Sequence, residues 1–151
     1  MTREECTEAV FQSLEAKKLT LQQVADAVGR HVVWTTSALL GQSTMSAKEA
    51  AKAAEILGMG NDAAEALQRI PTKGSLSQIV PTDPLIYRFY EIMQVYGTTL
   101  KAVIHEKFGD GIMSAINFSV CLEKKPHPAG DRVVVTFDGK FLPYDWTSAA
   151  T

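Results

Sequence analysis

Three times within its first fifty residues the chain places a hydroxyl residue three positions before Glu or Gln: Thr2-x-x-Glu5, Thr20-x-x-Gln23 and Ser46-x-x-Glu49. In such a capping box the hydroxyl accepts from an orphan N–H of the first helical turn, and the acid or amide reaches back to the cap's own N–H. Apolar residues follow each box at helical spacing: Cys6, Val10 and Leu14; Leu21, Val24 and Val28; Ala50, Ala54 and Leu57. Gly29, Gly41 and Gly58 stand where such helices should stop. Asn61 is placed to cap a fifth helix, which Pro71 ends. This part of the chain is thereby predicted to be a bundle of short helices.

Residues 71–84 hold Pro71, Gly74, Pro81 and Pro84, so neither a helix nor a central strand persists there. The boundary between two domains, 1–80 and 81–151, is placed in this connector. Asp83-Pro84 then opens a helix, with Asp as cap and Pro at the first helical position. It is expected to run from Leu85 to Tyr96 and break at Gly97, with a second helix from Thr99 to Phe108 stopping at Gly109. Beyond Asp110-Gly111 the period changes to two: Ile116, Phe118, Val120 and Leu122 alternate with Asn117, Ser119 and Cys121, as in a strand. Residues 124–130 read as a loop and Arg132–Phe137 as a second strand. Asp138-Gly139 is a two-residue hairpin signal, returning Lys140–Tyr144 as a third strand. The expected fold class is α+β, mostly helical: an N-terminal helix-turn-helix-like bundle plus a small C-terminal α+β dimerisation domain with few strands. A lobe this small has a thin core, and a small sheet with open edges seldom stands alone, so oligomerisation is expected on structural grounds.

Charge excludes several classes of function. The net charge is −2, with 46% hydrophobic and 21% charged residues, as in a folded globular protein. Residues 1–80 carry 8 Lys/Arg against 9 Asp/Glu, and residues 81–151 carry 7 against 8, so no basic stripe invites nucleic acid or an anionic membrane. No apolar run approaches the ~18 residues of a membrane span. The acidic start fits neither a secretory nor a mitochondrial leader. Two cysteines, Cys6 and Cys121, are too few for a disulfide scaffold, so a cytoplasmic protein with reduced thiols is expected. The stretch Thr20–Gly41 has the form of a helix-turn-helix, which either reads DNA or only packs. Its second helix contains Val32-Val33-Trp34-Thr35-Thr36-Ser37 without Lys or Arg, which favours packing. A DNA-binding regulator with an oligomerising tail stands as the alternative reading. His31, His105 and His127 have no zinc-site spacing, so no metal is expected. Cys121 has no neighbouring base implied by sequence and reads as an inert thiol.

The segment Tyr87-Arg88-Phe89-Tyr90-Glu91 is more informative. Arg88 and Glu91, three apart, share one helical face. They form either a surface ion pair or, among Tyr87, Phe89, Tyr90 and Tyr96, an anion site, because a buried Arg must be paired or bind an anion.

Pro81-Thr82-Asp83-Pro84, YRFYE at 87–91, QVYGTTLKA at 94–102, HEKFGDGI at 105–112 and SAINF at 114–118, with Asp138-Gly139-Lys140 and Leu142-Pro143, resemble the cyanase family over nearly all of residues 81–143. The resemblance implies a lyase that combines cyanate with bicarbonate, giving carbon dioxide and carbamate, which falls apart to ammonia and further carbon dioxide. It implies catalysis by Arg88, Glu91 and Ser114, with no metal and no organic cofactor. It also implies a homodecamer of five dimers with sites at subunit interfaces, and an N-terminal bundle without a DNA role. The chemistry is reasonable: two monoanions about 4 Å apart repel by ~4 kcal/mol at an effective dielectric of 20, and a permanent guanidinium charge offsets this. Ser114 then positions and stabilises charge, while Glu91 either holds Arg88 or handles protons.

Overall fold

All three capping boxes form. In the computed structural model, which describes residues 1–74 and 79–145, Thr2 Oγ1 accepts from the Glu5 N–H at 3.1 Å while Thr2 N–H donates to Glu5 Oε2 at 2.7 Å. Thr20 with Gln23 and Ser46 with Glu49 repeat the arrangement. These boxes open α1 (Arg3–Lys17), α2 (Leu21–Val28) and α4 (Ala47–Leu57); α3 (Val32–Leu39) and α5 (Asn61–Gln68) complete the bundle. His31 caps α3, its Nδ1 accepting from the Val33 N–H at 3.2 Å. Gly29 and Gly58 end α2 and α4 in the left-handed region, at φ 83° and 67°.

One boundary differs from expectation. Asn61 is the first residue of α5 and not its cap; extended Gly60 takes that place, and the Asn61 amide donates to Glu65 one turn along. Helix α5 ends at Gln68, before Pro71, because Arg69 is already extended.

The chain divides into two compact units, Met1–Ser75 with Cys121–Val134, and Leu76–Val120 with Val135–Thr151. The first unit holds the core. Val10, Val24, Leu39, Met45, Leu57 and Leu67 fill it, and alanines at 38, 50, 53, 63 and 66, all fully buried, let the helices approach closely. The Arg3 guanidinium ties the bundle together by donating to the carbonyls of Ala66 in the last turn of α5, Ala38 in the last turn of α3, and Ser43 in the loop that follows α3. Its burial pulls its pKa below the usual arginine value.

The second unit departs further from the sequence pattern. Gly97 does not break the chain into two helices: α6 runs unbroken from Pro84 to Phe108, 25 residues, capped by Asp83, which accepts from the Leu85 and Ile86 N–H groups. A glycine keeps its N–H and weakens a helix by only ~1 kcal/mol relative to alanine, too little to end one this long. Among the described residues the sheet has two strands, not three: β1 (Gly111–Lys125) and β2 (Arg132–Pro143), paired with each other. Asp138-Gly139 lies inside β2 and makes no turn. The connector 71–84 is irregular where described; its residues 75–78 lie outside the described residues.

This unit buries little. Helix α6 has no buried residue, and among the described residues of the unit only Pro81, Gly111 and Ser114 are buried. Phe108 stacks on Phe141 at 5.2 Å and Phe118 meets Phe137 at 5.7 Å. Leu85, Phe89, Val95, Tyr96 and Phe108 all remain exposed. None of the described helices is long and apolar enough to cross a membrane.

The Ser46–Glu49 box carries a pH signature. Hydrogen bonds from the Ser46 N–H and hydroxyl, and Arg30 at 3.2 Å, hold the Glu49 carboxyl below the usual range. A depressed folded pKa stabilises fully above the ordinary glutamate range, and this is lost as pH falls through the lowered value. Ser46→Ala is expected to cost about 1 kcal/mol at pH 7, with the gap to the parent narrowing in acid. Denaturant unfolding of the full chain at both pH values measures this; equal losses would break the link to Glu49.

Candidate active site

The cap at Asp83 and the proline at the first helical position fix the phase of α6, and with it the face that carries Arg88 and Glu91. Arg88 Nη1 lies 2.6 Å from Glu91 Oε2. Arg88 Nε reaches back to the Pro84 carbonyl at 3.5 Å, and the guanidinium stands 5.5 Å from the Tyr87 ring centre. The two side chains are 61% and 44% exposed, so within a single chain the pair is screened by water and contributes about 0.2–1 kcal/mol. The expected ion pair is therefore present, and among the described residues nothing accepts from Nη2. That edge of the planar fork is left to receive an anion.

Ser114 sits differently. Among the described residues it is one of two buried polar ones, at 5% exposure. Its Oγ accepts from the Ile116 N–H at 3.1 Å and the Asn117 N–H at 2.9 Å. Successive N–H groups of a flat strand point to opposite edges, so two of them converging on one oxygen require a kink in β1. Ile116, the first of the alternating apolar residues, is left 97% exposed. The strand begins at Gly111, where the period was expected to change, so Ser114 lies inside it.

The structure thus brings Arg88 and Glu91 together and gives Ser114 its own backbone partners; Ser114 bonds to neither of the other two. A hydroxyl has two acceptor lone pairs and one donor hydrogen. With both lone pairs engaged, Ser114 is left as a donor, so its chemistry is to polarise an acceptor and not to attack. The S-x-N stretch carries a weak signal of this, since serine often accepts from N–H groups two and three residues on.

Outside this face, Cys121 is less isolated than its sequence context suggests. His31 Nε2 lies 3.5 Å and Glu123 Oε1 3.8 Å from its sulfur. Because His31 Nδ1 accepts from Val33, the neutral ring carries its proton on Nε2 and donates toward the sulfur, so it cannot serve Cys121 as a base. Cys6 is buried in the bundle, and burial pushes its thiol pKa up. Among the described residues no group of three or more His, Cys, Asp or Glu could hold a metal. A cavity of about 410 Å³ beside the sheet, lined by Ile104, Phe108, Met113, Phe137, Gly139 and Phe141 among others, is mostly apolar and has no cation in its wall.

Removing the Ser114 hydroxyl has a structural consequence separate from any catalytic one. Ser114→Ala leaves two partly buried N–H groups without an acceptor and is expected to destabilise by about 1–3 kcal/mol. A lower denaturant midpoint at unchanged slope would show it; an unchanged midpoint would mean that water replaces the hydroxyl.

Comparison with known proteins gives the family. Residues 3–71 match the family model described as cyanate hydratase, N-terminal, and residues 78–146 match that described as cyanate lyase C-terminal domain. The cyanate hydratase of Mycolicibacterium vanbaalenii is 57% identical over 149 residues, covering 99% of this chain and 97% of its own length. That of Mycobacterium avium is 59% identical over 149 residues, 99% of this chain and 96% of its own. The crystal structure of cyanase from T. urticae superposes with a TM-score of 0.82 at 40% identity, over 93% of this chain and 99% of that one.

Proposed function

The chain belongs to the cyanase family, and from that premise we propose how it works. It is a cyanate hydratase, a carbon–nitrogen lyase that acts on cyanate. Bicarbonate is the second substrate, no metal or organic cofactor takes part, and the enzyme acts in the cytoplasm to remove cyanate. The working division of labour is a bundle of residues 1–80 and a catalytic and dimerising part of residues 81–151. The observation that supports this best is the Arg88–Glu91 pair at 2.6 Å, on an aromatic helix face that one chain leaves uncovered. The DNA-reading alternative gains nothing from α3, whose Val32–Leu39 contains no Lys or Arg.

An oxygen of bicarbonate adds to the cyanate carbon. The carbon–nitrogen π pair moves onto nitrogen, which takes up two protons, one of them from bicarbonate. Breaking the bond between that oxygen and the bicarbonate carbon releases carbon dioxide and leaves carbamate, which with one more proton gives ammonia and a second carbon dioxide. Both reactants are anions, so the main task is to hold like charges together. Arg88 supplies the permanent charge and the planar donors. Glu91, bound to one Nη, fixes the plane of that fork and stands within reach to carry protons. The Ser114 O–H donates to the cyanate end where charge grows. Proximity and preset electrostatics carry the acceleration.

Arg88 and Glu91 share no hydrogen bond with Ser114 in one chain, and α6 is uncovered. We therefore take the site to be built between copies, in a homodecamer of five dimers. Arg88→Ala, Arg88→Lys, Glu91→Ala and Ser114→Ala are each expected to lower activity at least about 100-fold while light scattering still gives the parent mass, near ten chains. The lysine variant fails because a point charge cannot reproduce the fork. Mixed assemblies of Arg88→Ala and Ser114→Ala chains should regain part of the activity; no recovery in verified hybrids would put each site inside one chain.

The two-anion mechanism has its own test. Ammonia release should fall toward zero when bicarbonate and dissolved carbon dioxide are removed. Carbon-13 bicarbonate should yield labelled carbon dioxide as it is consumed in equal amount with cyanate. Full-speed ammonia production in bicarbonate-free buffer would leave a plain hydrolase instead.

A further inference from the structure

We propose that Gly139 is a positioning residue for Ser114, placed on β2 so that the backbone of β1 can come close enough to form the Ser114 kink. The inference rests on the catalytic role given to Ser114 above. A Cβ at Gly139 would lie 2.7 Å from the Ser114 carbonyl oxygen, 2.5 Å from Met113 Cγ and 3.1 Å from Phe118 Cδ2. Ordinary carbon–oxygen approach across strands is about 3.3–3.6 Å, so a methyl group there must drive the strands apart by more than half an ångström. At Gly97 and Gly130, by contrast, a Cβ would meet nothing within 4 Å.

Conformation is not what requires glycine at this position. Gly139 is absent from the glycines with positive φ and lies within a regular strand. Space is the requirement, and the atom that sets it is main chain, which cannot swing aside as a side-chain tip can. The carbonyl belongs to the residue whose Oγ is bound to the N–H groups of Ile116 and Asn117. Carbonyl, kink and hydroxyl therefore move as one body. A shift forced at the carbonyl carries the donor O–H off its line, and a displacement approaching 1 Å can reduce a rate about 100-fold.

The test uses the full-length assembled enzyme. Gly139→Ala is expected to lower kcat about 10- to 100-fold, with KM changed less than about threefold and the assembled mass unaltered. Gly97→Ala, as a control, should keep its rate. The decisive comparison is a cycle with Ser114→Ala. If Gly139 acts through Ser114, adding Gly139→Ala to Ser114→Ala should cost less than about twofold more. An equal loss in both backgrounds would make Gly139 a general packing residue and overturn the proposal, as would an unchanged kcat in the single variant. Ser114→Ala alone keeping the parent rate would instead show that the catalytic assignment had failed, and the positioning role with it. If Gly139→Ala does not assemble, Gly139→Ala with Met113→Ala, which removes the Cγ contact and keeps the carbonyl one, is compared with Met113→Ala under the same criteria.

Discussion

Apolar surface that one copy cannot hide governs the second unit. A helix of 25 residues with none buried, joined to a two-stranded sheet, has no core of its own, and such a sheet is marginal in water. Exposed apolar faces of this extent mark association sites. Under the proposed assembly, the contact that completes the fold also changes the electrostatics of the reaction. An ion pair or an anion beside Arg88 interacts at about 1 kcal/mol in bulk water and several-fold more once the local dielectric falls. Folding of this unit and its chemistry then depend on the same covering event.

The amino-terminal unit is organised on the opposite plan. Its helices carry their own start and stop signals, its core closes on alanines and branched aliphatics, and Arg3 joins elements distant in sequence through three carbonyls. Among the described residues two buried side-chain atoms have no hydrogen-bond partner: Thr35 Oγ1 and Arg3 Nε.

How much could be read from the sequence follows from the range of the interactions. Capping boxes close over three residues, and all three were legible; so was the Asp83-Pro84 start and the Arg88–Glu91 spacing. The glycines were where local reading failed. Gly97 looks like a breaker but only weakens a helix held by its neighbours. Gly139, beside Asp138, looks like a hairpin because the same dipeptide serves turns; its neighbour in space is Ser114, 25 residues away, and no local pattern reports that distance. Ser114 was identifiable by family resemblance, yet its two N–H partners depend on a kink that an alternating pattern hides. Cys121 shows the same limit: its nearest imidazole, His31, comes from the other end of the sequence.

The capping boxes have a further consequence, in time. Each is complete as soon as a few residues have been made, so the bundle's helices can form while the rest of the chain is still being translated. Synthesis thus delivers a folded amino-terminal unit tethered to a helix whose apolar face, in the proposed assembly, waits for another molecule. That meeting is second-order and slows on dilution, whereas the earlier steps do not. Chains released close together from one messenger shorten the wait, and with it the interval in which that helix is open to the wrong surface.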